Sequence, residues 1–204
     1  MYIPIMIEKD RLRVTIFGGG DVALRKIKIL EGAYVKVVSD KIQEEIRKYA
    51  KRIILEKIRE EDDIERLISD SNFVIIATDD RKLNLKIRDV CEKRGIIYNL
   101  VDDRDSLAIF PSFLRDDDLI ISFSTSGRAP ALSKFLKEIA SSYIKSLDVI
   151  EKIRMNIEHD ENKRSEFFSS LFRDCNFWML IERGEKDRAF FYAMEKWRMN
   201  YEIN

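Results

Sequence analysis

A chain of 204 residues is long enough for one sizeable core, or for a medium domain with a smaller appendage. Lys plus Arg and Asp plus Glu number 37 each, so the formal net charge is zero and the global positive charge of a nucleic-acid binder is absent. No apolar run approaches a membrane span, and two distant cysteines with the single histidine, His159, make no recognisable zinc set, so neither membrane, nucleic acid nor metal is expected as a partner.

The amino-terminal stretch "MYIPIMIEKDRLR" lacks the charged, apolar, small-residue order of a secretion signal, and the expected location is the cytoplasm. Next, "RVTIF" is a β-branched run that predicts a buried strand, and "DVALRKIKILEG" predicts a helix ending at Gly32. "YVKVVS" predicts a second strand, and "KIQEEIRKYAKR" a second helix with Ile42, Ile46 and Tyr49 on one side. Gln43 in that stretch is the only glutamine of the chain, a scarcity that, with the many charges, matches the bias of heat-adapted proteins. "RIILEK" predicts a third strand, "DDIERLIS" a short helix, and "NFVIIAT" the clearest strand of all. "RKLNLKIRDVCEKRG" follows as a helix with Leu83, Ile87, Val90 and Cys91 facing inward, which makes Cys91 a small buried hydrophobe. "IIYNLVD" closes the series. Strand and helix alternating at this spacing predict an α/β fold with a doubly wound parallel sheet.

The character changes after "FPSFLRDDD". "LIISFS" predicts a further strand, "TSGRAP" a turn, and "ALSKFLKEIASSYIKSL" a long amphipathic helix with Pro130 in its first turn. From about Asp148 the chain reads as wholly helical and strongly aromatic, with Phe167, Phe172, Trp178 and Trp197 among rings that form a subdomain core or a dimer contact. His159, in the polar "IEHDENKR", reads as a solvated surface residue.

The chemistry begins at "RVTIFGGGDVALRK". Gly18, Gly20 and Ala23 stand in the GxGxxA spacing between a strand and a helix, the context that a dinucleotide fingerprint requires. Gly18 lets the chain turn off the strand, Gly20 lets backbone approach a pyrophosphate, and Ala23 allows close helix–strand packing, while the helix N-terminus offers free N–H groups to the phosphates. A purely structural turn is the alternative. About twenty residues on, Asp40 stands where an acid binds ribose hydroxyls and favours NAD over NADP; Asp40 or Ser39 serves equally as N-cap of the next helix. Ligands of a parallel sheet lie at the carboxyl ends of its strands, which adds Thr78, Asp79 and Asp80 after "VIIA", and Asn99 with Asp102 after "IIY". Asp79 and Asp80 also read as helix caps. The carboxylates Asp102, Asp103 and Asp105 crowd one place, and such crowding holds a base ready near neutrality.

Taken together, "PIMIEKDRLRVTIFGGGDVALRK", "FVIIATDDRKLN", "IIYNLVDD" and "FPSFLRDDDLIISFSTSGRAPALSKFLKEIA" resemble the precorrin-2 dehydrogenase family, also found as the amino-terminal module of sirohaem synthases. The resemblance covers roughly the first seven-tenths of the chain. It implies NAD-dependent oxidation of precorrin-2, an octacarboxylate tetrapyrrole, to sirohydrochlorin, and in some members iron insertion into that product. It also implies a homodimer with a Rossmann-type domain over 1–110, a dimerisation region over 111–146 and a helical carboxy-terminal domain over 147–204. Carried over by residue, Asp102 is the catalytic acid/base, and Gly18, Gly20, Asp40, Thr78 and Asp79 lie near the dinucleotide; the adjoining Gly19, Asp21, Val22 and Ser39 are expected to bind it as well. Asn99, Ser124, Thr125, Gly127 and Arg128 fall on the substrate side, where Arg115, Arg128 and Lys134 offer positive charge to carboxylates. Two departures stand out. The first crossover helix is shorter than usual, and a proline commonly occupies the position of Asp40, so the ribose contact rests on the general Rossmann rule. A non-catalytic module that senses NAD through its helical tail is the alternative function; it leaves "NLVDD" and "STSGRAP" without a purpose.

Overall fold

The computed structural model describes residues 2–58, 61–101, 103, 106–116 and 119–202. The chain divides into two compact units, Met1–Phe110 and Pro111–Asn204. Among the described residues no helix is long and apolar enough to cross a membrane.

In the first unit, β1 (Arg13–Phe17), β2 (Tyr34–Ser39), β3 (Arg52–Leu55), β4 (Phe73–Ile76) and β5 (Ile97–Leu100) form one sheet in the order β3-β2-β1-β4-β5. Every pairing is parallel, and the register aligns Phe17 with Val38 and Ile76, Ser39 with Leu55, and Ile76 with Leu100. Helices α1 (Asp21–Ile29), α2 (Glu61–Ile68) and α3 (Arg81–Arg94) supply the crossovers. Strands buried on both faces need apolar residues at most successive positions, and β1, β2 and β4 have them, with buried Thr15 and Lys36 the polar exceptions. Val14 and Ile16 join Ala23 and Ile27 of α1 in one core, while Phe17, Val74 and Ile76 join Ile64, Leu67, Ile87 and Cys91 of α2 and α3 in another. This is the expected α/β, Rossmann-type sheet.

One expected element differs. The stretch 41–52 forms a single 3-10 turn, Glu44–Lys48, in place of a full helix. Its ends are tied down: Gln43 N donates to Gly19 O at 2.9 Å, and Lys51 N donates to Val35 O at 2.8 Å. Between those two bonds there is room for one turn that buries Ile46 and no more. The helix that Asp40 or Ser39 was to cap therefore does not form there, and Gln43 holds the N-cap position of the turn.

In the second unit β6 (Ser112–Arg115), a strand the sequence did not reveal, pairs antiparallel with β7 (Ile120–Phe123). Helix α4 (Pro130–Lys145), with Pro130 at its start, packs on both strands. The remainder is helical: α5 (Leu147–Asn156), α6 (Glu161–Leu171), α7 (Cys175–Glu182), α8 (Lys186–Trp197) and a terminal π-helical turn, Arg198–Glu202. Phe167, Phe177 and Trp197 are fully buried in its core, with Phe167 edge-on to Trp197 at 5.2 Å, whereas Phe172 and Phe191 are exposed. His159 is exposed.

Asp174 anchors this helical core. Its carboxylate caps α7 by accepting from Asn176 N at 2.8 Å, accepts from Tyr192 Oη at 2.9 Å, and pairs with Lys196. The side chain is only 10% exposed. Burial, the largest single influence, pushes its pKa up, but Lys196, Tyr192 and the cap bond together hold it below the ordinary carboxylate value. A depressed folded pKa means stabilisation that is complete above the unfolded value and fades as pH falls through the folded one. Asp174→Ala should therefore cost about 3 kcal/mol at neutral pH. In urea unfolding, the gap between parent and variant should close below about pH 4.

Candidate functional site

The sheet order places β1 between β2 and β4: the chain winds outward from β1 through β2 to β3, then crosses back to β4 on the other side of β1. The carboxyl ends of β1 and β4 thus flank a topological switch point, where ligands of doubly wound sheets bind. A cleft of about 880 Å³ opens there, lined by 18–22, 38–43, 56–58, 77–80 and Leu83. That volume lies within the usual range for ligand pockets. Gly18, Gly19, Gly20, Asp21, Val22, Ser39, Asp40, Thr78 and Asp79 all line this one cleft.

The three glycines do different work. Gly18 has φ +114°, and a Cβ there would stand 2.2 Å from Ala77 O; a Cβ on Gly19 would stand 2.0 Å from Lys41 O. Both are small because backbone from another loop lies against them. A Cβ on Gly20 meets nothing within 4 Å, so no packing in the fold demands a glycine there. Gly20 is the N-cap of α1, and among the described residues no side chain caps that helix. An uncapped N-terminus presents free N–H groups and partial positive charge to an anion, and the bare Gly20 lets that anion come close. A dinucleotide pyrophosphate fits this seat.

The turn after β4 is built differently. Asp80 caps α3, accepting from Lys82 N at 2.9 Å and Leu83 N at 3.1 Å. Thr78 Oγ1 donates to Asn84 Oδ1 at 2.5 Å, and Asn84 Nδ2 donates back to Thr78 O at 2.9 Å. The cap belongs to Asp80, which leaves Asp79 exposed at the cleft. Sequence reasoning missed Lys41, Ile42, Gln43, Glu56, Lys57, Ile58 and Leu83 as lining residues. The signal for 56–58 was available: β3 neighbours β2, so its carboxyl end had to border the same crevice.

Of the carboxylates expected at the substrate, Asp102 and Asp105 lie outside the described residues. Asn99 is 5% exposed, and its amide is committed to the fold: Nδ2 donates to Ala108 O at 2.8 Å and Ser106 Oγ at 3.3 Å. Its Oδ1 is buried with no hydrogen-bond partner among the described residues. Ser106 Oγ also accepts from Leu100 N at 2.7 Å. These bonds fasten the end of β5 to residues 106–108 and leave Asn99 one open acceptor.

Ser124, Thr125, Gly127 and Arg128 belong to the second unit, in the turn between β7 and α4. Ser126 (φ 50°) and Gly127 (φ 78°) are both left-handed there. Ser124 Oγ accepts from Ser126 N at 3.2 Å, and Thr125 Oγ1 accepts from Ala129 N at 3.1 Å. Among the described residues neither hydroxyl donates a bond of its own. Arg115, Arg128 and Lys134 are exposed.

Burial pushes the Cys91 thiol up to about 12, so it is an inert core residue at neutral pH. Burial, then the bond to Glu92, raises the Tyr98 hydroxyl. Among the described residues no group of three or more His, Cys, Asp or Glu side chains is placed to hold a metal ion.

Residues 5–112 match the model of a family described as putative NAD(P)-binding. Among curated proteins, the chain is 30% identical over 197 residues to a sirohaem synthase of Blochmanniella pennsylvanica, covering 92% of this chain and 41% of that one. It is 32% identical over 199 residues to sirohaem synthase 1 of Pectobacterium atrosepticum, with the same coverage. The chain thus spans about two fifths of the length of the curated relatives it matches. Among solved structures it is similar to SirC, a precorrin-2 dehydrogenase, with a TM-score of 0.69 and 25% identity over 96% of this chain and 100% of that one.

Proposed function

Because the chain belongs to the NAD(P)-binding family of precorrin-2 dehydrogenases and sirohaem synthase amino-terminal modules, we propose that it oxidises precorrin-2 to sirohydrochlorin with NAD. The observation that carries this reading is the likeness to SirC along that protein's whole length.

Bound in the cleft, NAD supplies a hydride acceptor. The chain does the rest. The uncapped N-terminus of α1 and the bare Gly20 hold the pyrophosphate. Asp40, at the end of β2, accepts from ribose hydroxyls and repels a 2′-phosphate. Thr78, clamped by Asn84, and Asp79 form the wall after β4. Asp102 takes the proton that leaves with the hydride, so one base balances the reaction. Asn99 in the first unit is assigned to the substrate, and so, in the second unit, are Ser124, Thr125, Gly127 and Arg128, whose hydroxyls and guanidinium suit carboxylates. Some members of the family also insert iron into sirohydrochlorin, a step that would need a base for the pyrrole protons, and Asp102 is the candidate for it. The proposed setting is the cytoplasm.

Within the second unit, 111–146 is assigned to dimerisation and 147–204 to a helical domain. Leu132, Phe135, Leu136, Ile139 and Tyr143 of α4 recur at helical spacing and are all exposed, Phe135 by 55%, while Ser133 and Ala140 turn inward. An apolar stripe of that kind is a candidate homodimer surface. Phe135→Glu should convert a dimer to monomers in analytical ultracentrifugation without lowering the thermal midpoint of the monomer. A parent chain that sediments as a monomer would sink this assignment.

The activity is tested by supplying precorrin-2 with NAD, and separately with NADP, under anaerobic conditions and following NADH absorbance. NAD-dependent turnover that outpaces NADP is expected. NAD binding without turnover would favour the NAD-sensing module instead. Adding ferrous iron to the product reads the iron-insertion step.

A further inference from the structure

Asp21 presents a chemical difficulty. It is the first residue of α1 and lines the cleft, so its carboxylate stands at the helix end that the pyrophosphate reading requires. A carboxylate in the first turn favours the helix through the macrodipole, yet it competes with a phosphate for the same N–H groups and repels it. Something must decide where that carboxylate points.

Gln43 makes the relevant contact. Its Nε2 donates to Asp21 Oδ1 at 2.6 Å, and its backbone N donates to Gly19 O at 2.9 Å. Residue 43 is thereby bonded to the glycine turn through both main chain and side chain. Its own loop also carries Asp40 and Lys41, and Lys41 O fills the space where Gly19 lacks a Cβ. A primary amide suits this place. It donates to the carboxylate without bringing charge of its own, whereas a glutamate would repel Asp21 and a lysine would add a fixed cation beside the phosphates. This is also the chain's only glutamine.

We propose that Gln43 is a positioning residue for the dinucleotide: its amide holds the Asp21 carboxylate off the path of the pyrophosphate and ties the ribose-side loop to the glycine turn. The proposal rests on the reading of the cleft as the NAD seat. Gln43→Ala frees Asp21, and the dissociation constant for NAD rises about tenfold. Asp21→Asn removes the charge, so in that background Gln43→Ala costs little, and the two substitutions are strongly non-additive. Gln43→Glu brings two carboxylates together at neutral pH and weakens NAD further.

The test is calorimetric titration of NAD into the parent, Gln43→Ala, Asp21→Asn, the double variant and Gln43→Glu, with thermal melts of each NAD-free protein. The expected result is a loss of affinity with nearly unchanged melting temperature, cancelled by Asp21→Asn and larger with glutamate than with alanine. Unchanged affinity in Gln43→Ala, or losses that simply add, overturns the proposal while leaving the NAD seat standing. So does a loss of affinity that tracks a lowered melting temperature. A parent that does not bind NAD overturns the cofactor reading and this proposal with it.

Discussion

Gly18→Ala is expected to lose about 3 kcal/mol or more of folding stability, whereas Gly20→Ala should stay within about 1 kcal/mol of the parent and lose NAD affinity instead. The two glycines are two residues apart and face opposite constraints. At Gly18 the added methyl carbon would stand 2.2 Å from Ala77 O and 2.7 Å from Ala77 C, and those atoms belong to backbone fixed by β4. The φ of +114° adds strain that no side-chain movement relieves. Backbone overlap and an unfavourable dihedral each carry a cost of about 1–3 kcal/mol, and neither relaxes without moving the other. At Gly20 φ is −91°, and nothing lies within 4 Å of the added carbon. The methyl group there meets only what enters the cleft. Urea unfolding of both variants without ligand, followed by NAD titration of Gly20→Ala, separates the two effects. Equal stability of both variants would contradict the geometry, and undiminished NAD affinity in Gly20→Ala would remove the close approach on which the pyrophosphate reading depends.

The second large effect concerns turnover. Asp102→Asn should lower NADH formation from precorrin-2 by about 10²–10⁴-fold while leaving the dissociation constant for NAD unchanged. Asparagine keeps the size and one acceptor oxygen of aspartate but does not take up a proton near neutral pH. The hydride then has an acceptor and the proton has none. Asp103→Asn and Asp105→Asn are the natural controls, because they thin the same cluster of carboxylates without removing the assigned base. A general drop across all three would point to the cluster's charge. A drop confined to Asp102→Asn would point to proton transfer. Undiminished turnover in that variant would end its assignment as the base.

The strands were legible because a parallel sheet covered on both faces needs largely apolar runs; Phe73–Ile76 is unbroken, and Val14–Phe17 and Val35–Val38 are interrupted only by the buried Thr15 and Lys36. The glycine spacing and the strand-end rule were enough to gather residues from three separate loops into one cleft. Other features depend on partners distant in sequence. The amphipathic pattern of 41–52 does not reveal that Gln43 and Lys51 are bonded to Gly19 and Val35, and those bonds decide between a helix and a single turn. β6 is short and half-buried, and becomes a strand only because Ile120–Phe123 pairs with it. The importance of Gly19 was hidden for the same reason. Its fingerprint position is nominally free, and the carbonyl that forbids a side chain there comes from Lys41. Asp40 was read as either ribose ligand or cap, and only the shape of the following turn removed the cap.

The contact between Gly19 and the Lys41 carbonyl bears on how such a protein changes over evolutionary time. With backbone laid on backbone, an insertion or deletion between Ser39 and Gln43 would displace the glycine turn as well. Drift in loop length, the usual source of variety at the edge of a nucleotide-binding sheet, is therefore closed to this segment. A lineage that came to prefer a different dinucleotide would have to do so by point replacement at Asp40 or Lys41, in a loop of constant length.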